Sequence, residues 1–300
     1  GTRGWRAVLQ ASLCGALLSL AMEYIQYLLP VRVPSRIDWL LNSAGTLTGA
    51  LLAWLLQWRG LLLHWQRLRD TLFVPHGTMG LGLLLSWPIG LLFPPPVPLA
   101  TGQGLERLAI ALHDWLADTA LAGWIVLPAP EGTLAPDTES LVVALGLLAP
   151  ALVSFVMLRR VRHRLVTLGG TLMLGVGTTT LSTALNFGPE HAMSWLTPPV
   201  LPGVLIGLGL GFGLAFVPRR GVAALGLVLL TLLIALVNQA GSDPYFALSL
   251  QGWEQGRFIR FHGLAQWIGW LWPQAALAFL LFQVTASRPP QPPGHPPRRP

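Results

Sequence analysis

Residues 105–127, LERLAIALHDWLADTALAGWIVL, decide how many times this chain crosses a membrane. A hydrocarbon core of about 30 Å takes roughly 20 apolar residues as helix, and this stretch is long enough. Crossing would carry Asp114 and Asp118 toward mid-bilayer, at about 2.5–3.5 kcal/mol each on an insertion scale. On a helical wheel Glu106, Arg107, His113, Asp114 and Asp118 share one arc. Leu108, Leu112, Trp115 and Leu116 share the opposite one. The pattern predicts an amphipathic helix lying on the outer membrane interface, not a span.

Charge across the rest of the chain supports that placement. Apolar runs at 7–29, 39–58, 77–93, 138–158, 165–185, 199–217, 221–239 and 264–285 predict eight spans. Arg3 and Arg6 start the chain in the cytoplasm. With 105–127 on the surface, 14 arginines and one acid (Asp70) fall inside, against 5 arginines and 11 acids outside. A ninth span would put the cluster Arg159, Arg160, Arg162 and Arg164 outside and destroy this asymmetry. Both termini of this chain are therefore expected in the cytoplasm. The run at 77–93 is short and stops at Pro94, Pro95 and Pro96.

The fold class is thus all-α, a polytopic transmembrane helical bundle of about eight spans plus one interfacial helix. Of 300 residues 53% are hydrophobic and 10% charged, far from the roughly one quarter charged of soluble domains. A single cysteine, Cys14, excludes a disulfide scaffold. All 19 basic residues are arginine, set between apolar runs, so the +7 charge marks membrane sidedness and not a nucleic-acid partner. The organisation expected is a two-span unit at 1–58, then 59–137 with a basic loop (59–75), a short third span and an external stretch (94–137). A five-span region at 138–285 and a disordered proline-rich tail at 286–300 follow. The first span is too long for a signal-peptide core and lacks a cleavage pattern. The chain opens on glycine, which predicts further sequence ahead of it.

The chemistry concentrates in residues 21–54, AMEYIQYLLPVRVPSRIDWLLNSAGTLTGALLAW. Glu23 lies six residues, about 9 Å of helix, inside the end of its span. An ionisable group there is costly unless paired or protonated, which marks a functional-site candidate. Gln26 follows on its face. In the next helix Asp38, Asn42, Gly45 and Gly49 form a polar-then-small stripe. Gly45 and Gly49 are expected to let the two polar faces meet. Arg32 and Arg36 in the turn are cations on the side where arginine is disfavoured, with fork-shaped donors suited to carboxylate or phosphate.

At these residues the sequence resembles the VanZ-like family of membrane proteins. The family pattern is Glu-x-x-Gln, a hydrophilic turn with Arg, then Asp-x-x-x-Asn-x-x-Gly-x-x-x-Gly. Here it runs through Glu23, Gln26, Arg32, Arg36, Asp38, Asn42, Gly45 and Gly49. The resemblance covers about residues 1–58. Family members usually carry two earlier spans with an Asp-Lys-x-x-His motif. This chain has no lysine, so that half is expected to be missing by N-terminal truncation. The five-span remainder resembles the extension of some proteobacterial members. The resemblance implies a multi-pass protein of the bacterial inner membrane and, through the family name, glycopeptide (teicoplanin) resistance; no settled activity comes with it.

Three roles are open to Glu23, Gln26, Arg32, Arg36, Asp38 and Asn42: a network fixing two helices, a binding site, or a catalytic site. The leading expectation is a non-enzymatic protein that meets membrane lipids and an amphiphilic or lipid-linked ligand at the outer leaflet. The alternative is an enzyme acting on a lipid-phosphate or isoprenoid-linked substrate, with Glu23 or Asp38 as acid/base and Arg32 or Arg36 on phosphate. A transporter would show paired broken helices in two related halves, and no such symmetry is visible. A second cluster, Glu254, Arg257, Arg260 and His262, precedes Trp267, Trp270 and Trp272. It reads as an interfacial anchor with an aromatic belt or as a patch for a lipid headgroup.

Neither a cofactor nor a metal is expected. The seven histidines have no His-x-x-x-His pair or cysteine partner. Gly207, Gly209, Gly211 and Gly213 follow no strand, and Gly203, Gly207 and Gly211 read as a packing groove. The hydroxyls of Thr178–Thr183 are expected to bond back to their own helix.

Overall fold

The computed structural model describes residues 2–27, 36–73, 78–119, 134–240 and 262–285. They form ten α-helices and no strand. Contacts divide the chain into two units, Gly1–Thr71 and Leu72–Pro300.

The first unit holds α1 (Thr2–Tyr27), α2 (Arg36–Trp58) and most of α3 (Leu61–Leu72). α2 stops where Gly60 adopts φ +70, a left-handed conformation that L side chains avoid. The Arg59 guanidinium lies over the Trp58 ring, 5.7 Å from its centre. Residues 61–72 of the expected basic loop are helical, because no glycine or proline interrupts them.

The second unit comprises α4 (Thr78–Leu91), α5 (Gly104–Leu116), α6 (Pro136–Met157), α7 (Val161–Phe187), α8 (Val200–Leu214), α9 (Arg219–Val237) and α10 (His262–Thr285). α6 is its axis. Pro136 opens it and Asp137 and Glu139 complement its N-terminal dipole. Every residue from Val142 to Met157 is buried, as expected of a helix apolar on all sides. It packs against α4, α7, α8, α9 and α10. The Gly203, Gly207 and Gly211 groove is seen as read: all three are buried, and a Cβ at Gly207 would lie 3.1 Å from Ala144 O of α6.

Each of the eight expected spans is a helix. Six (α1, α2, α6, α7, α9 and α10) are long and apolar enough to cross a membrane, while α4 and α8 are shorter apolar helices. α5 has 13 residues, about 20 Å, and residues 120–127 of the predicted interfacial stretch lie outside the described residues. Its apolar arc is uncovered, with Leu108, Leu112 and Trp115 exposed.

The start of the expected external stretch instead enters the bundle. Residues 93–102 are all buried. Leu99, fully buried at φ +66, packs its main chain on Gly146 and its side chain on Gly175. Those glycines are the eleventh of 22 residues in α6 and the fifteenth of 27 in α7, so Leu99 sits near mid-height of both helices. Non-helical backbone at that depth survives only when wrapped in protein that satisfies its polar groups. Ser182 Oγ donates to Leu92 O at 2.8 Å, and Asn238 Nδ2 donates to Gly102 O at 2.9 Å. The threonine run is therefore mixed in role: Thr183 bonds back to Thr179 O, while Ser182 crosses to this segment.

The tryptophans of α10 also divide. Trp267 is exposed, but Trp272 is buried and donates from Nε1 to Leu83 O at 2.7 Å. Trp272 therefore packs inside the bundle, while Trp267, about 140° away on the wheel, stays on its surface.

Candidate functional site

α1 and α2 form an antiparallel hairpin whose register comes from three pairs. A Cβ at Gly4 would lie 2.7 Å from Trp54 Cδ1, and one at Gly15 would collide with the Thr46 side chain. Asn42 Nδ2 donates to Ser19 Oγ at 3.2 Å. Trp39 Nε1 adds a bond to Ala16 O at 3.0 Å. Thr46 Oγ1 donates to Asn42 O at 2.8 Å, which satisfies its hydroxyl within α2 and leaves its methyl to fill the space over Gly15.

The pairs Gly15–Thr46 and Ser19–Asn42 step by four residues in opposite directions. One further step on each helix reaches Glu23 and Asp38. The register thus sets the two carboxylates at one level, one turn or about 6 Å beyond the Ser19–Asn42 bond. Both are half-buried. Glu23 also borders an open groove of about 590 Å³ along α1, with Leu17, Leu20, Ala21, Tyr24 and Tyr27. A carboxylate edged by two tyrosines and a leucine floor suits an amphiphile: apolar area with one polar anchor.

Of the predicted residues, the register sets Glu23 level with Asp38, one turn from Asn42, which bonds Ser19. Arg36 opens α2 and is exposed. The backbone of Gln26 lies in α1, but its side chain is outside the described residues, as is Arg32 entirely. Glu254, Arg257 and Arg260 also lie outside them; His262 begins α10, with its side chain outside.

The expected glycine contact is corrected. A Cβ at Gly45 or Gly49 would meet nothing within 4 Å. The close approach uses Gly4 and Gly15 of α1, and the inward stripe of α2 is Trp39, Asn42, Thr46 and Trp54. From Asn42 the same face can continue at i+3, Gly45, or i+4, Thr46, and packing selects the latter. Ser19 was missed. Its signal is the i, i+4 spacing to Glu23, which puts a hydroxyl on the carboxylate's face of an otherwise apolar run. In a double-mutant cycle Ser19→Ala and Asn42→Ala should couple by about 0.6 kcal/mol, typical of hydrogen bonds between membrane helices. Additive losses in thermal stability would remove this bond from the hairpin's energetics.

Long apolar helices wrapped around a buried axis, with an ionisable helical hairpin, define a multi-pass α-helical membrane protein. Within it, residues 2–57 match the VanZ/LLP1 family model, so α1 and α2 are a VanZ-like segment. No curated protein and no solved structure matches the chain.

Proposed function

We propose that this chain is a multi-pass protein of the bacterial inner membrane that binds an amphiphilic or lipid-linked ligand, such as a lipophilic glycopeptide, at the outer leaflet. The observation that carries this reading is the hairpin register that levels Glu23 with Asp38 beside the tyrosine-edged groove. Intramembrane carboxylates are costly to maintain, which favours a role beyond helix packing. The arginine asymmetry puts this end of the hairpin outside and both termini inside. The exposed Leu108, Leu112 and Trp115 of α5 then rest in the outer acyl boundary.

The test is susceptibility to teicoplanin in cells expressing the full-length protein. Wild type should shift susceptibility, and Glu23→Gln or Asp38→Asn, at equal expression, should each abolish the shift. No shift with wild type, or an unchanged shift in both variants, overturns the proposal.

The two level carboxylates also favour a second reading, acid–base catalysis on a lipid-phosphate or isoprenoid-linked substrate. Turnover of lipid pyrophosphate by the purified protein, lost in Glu23→Gln, would select it over binding alone.

A further inference from the structure

At one end of the second unit α6 and α8 finish and α7 and α9 begin. Arginines from the starting helices cap the finishing ones. Arg164 Nη1 donates to Ala215 O at 3.0 Å and Val217 O at 2.7 Å, just past α8. Arg219 Nε donates to Val156 O at 2.6 Å in the last turn of α6. Arg159 Nε donates to Phe73 O at 3.0 Å. Orphan carbonyls at helix C-termini are natural partners for these cations.

That leaves the end over-supplied with positive charge. Arg219 is anchored on Val156 O and Arg159 on Phe73 O, and Phe73 pairs with Leu158, two residues from Val156, so these like charges are neighbours. The ion pairs His113–Asp114 and His191–Glu190 of this unit do not involve these arginines. α7 and α9 start without a side-chain cap, so their first-turn N–H groups and positive dipole ends add to the excess. Two buried nitrogens, His163 Nδ1 and Arg164 Nε, have no partner, and Arg164 is only 5% exposed.

Arg159 and Arg219 are the groups able to use this excess. Each commits Nε to a main-chain carbonyl, which fixes the guanidinium plane, and neither bonds through its Nη atoms among the described residues. Two oriented forks whose terminal donors bond nothing among the described residues suit one tetrahedral oxyanion. We propose that Arg159 and Arg219 clamp a phosphate oxyanion at this end of the bundle, supplied by the headgroup of an anionic phospholipid. Arginine excess on one side of a membrane is the setting in which such headgroups gather.

The test uses the full chain in phosphatidylcholine nanodiscs doped with phosphatidylglycerol, with retained lipid counted by native mass spectrometry. Wild type should hold phosphatidylglycerol through delipidation, and Arg159→Gln/Arg219→Gln should weaken retention by about tenfold or more. Arg160→Gln/Arg220→Gln removes the same charge from exposed side chains and should change retention by no more than about twofold. Equal loss in both double variants would mean a diffuse basic surface and overturn the site. Because Arg219 also caps α6, Arg159→Gln alone and Arg219→Lys serve as folded variants. Both should weaken retention, since lysine keeps the charge but not the fork; full retention in both overturns the proposal. In a second arm inorganic phosphate is titrated into the delipidated protein. Failure to displace phosphatidylglycerol supports the lipid as source, while displacement together with protection of Arg159 and Arg219 from arginine-selective labelling overturns the lipid assignment in favour of free phosphate.

Discussion

Gly146→Val should destabilise the Leu72–Pro300 unit by about 3 kcal/mol, at the upper end of overpacking costs. A Cβ at Gly146 would fall 2.7 Å from Leu99 O, 2.8 Å from Leu99 C and 3.0 Å from Ala100 Cα. All three are main-chain atoms, so no rotamer change relieves the clash. Leu99 cannot retreat either, because its side chain is wedged between Gly175 and the bundle and is fully buried. The substitution must lift the 93–102 segment off α6 and strand the Leu92 and Gly102 carbonyls now held by Ser182 and Asn238. The readout is the thermal transition in mild detergent, with Gly209→Ala as control, since a Cβ there meets nothing within 4 Å. An equal melting temperature for Gly146→Val would show that the buried segment is not seated on α6.

Arg164→Met should cost about 2 kcal/mol in the same assay. The guanidinium is nearly fully buried and supplies two charge-assisted bonds to the end of α8, each worth about 1.5–3 kcal/mol. Their loss orphans the Ala215 and Val217 carbonyls. Removing a cation that Arg219 repels offsets part of that loss, which is why the net figure is below the sum. Arg164→Lys should recover part of the stability, since an ammonium reaches carbonyls without the planar fork. A melting temperature unchanged in Arg164→Met would assign the α8 cap to solvent or lipid instead.

The sequence foresaw elements better than their partners. Eight apolar runs became eight helices because length and hydropathy act locally. Asp114 and Asp118 predicted that 105–127 would lie on the surface; α5 ends at Leu116, and residues 120–127 lie outside the described residues. The groove of Gly203, Gly207 and Gly211 was legible because its i, i+4, i+8 spacing holds for any straight helix. Gly45 and Gly49 had the same spacing and a different fate. Periodicity names a face but not what the face meets. At the candidate site Glu23, Asp38 and Asn42 stood out as polar groups in apolar helices, whereas Ser19 and Thr46 were hidden. A hydroxyl that can bond within its own helix carries little desolvation cost and so little signal.

Composition and charge pattern by themselves determined the class of protein, the number of apolar helices and the placement of ionisable residues at one helical hairpin. They could do so because burying charge in hydrocarbon is expensive wherever it occurs. Tertiary structure alone decided which glycines admit a neighbour, that Glu23 and Asp38 stand level, that residues 93–102 reach mid-height of the bundle, and that arginines cap their neighbours' helices. Those facts depend on register and close packing between distant segments, where shifting one helix by a single residue rotates every side chain by about 100°.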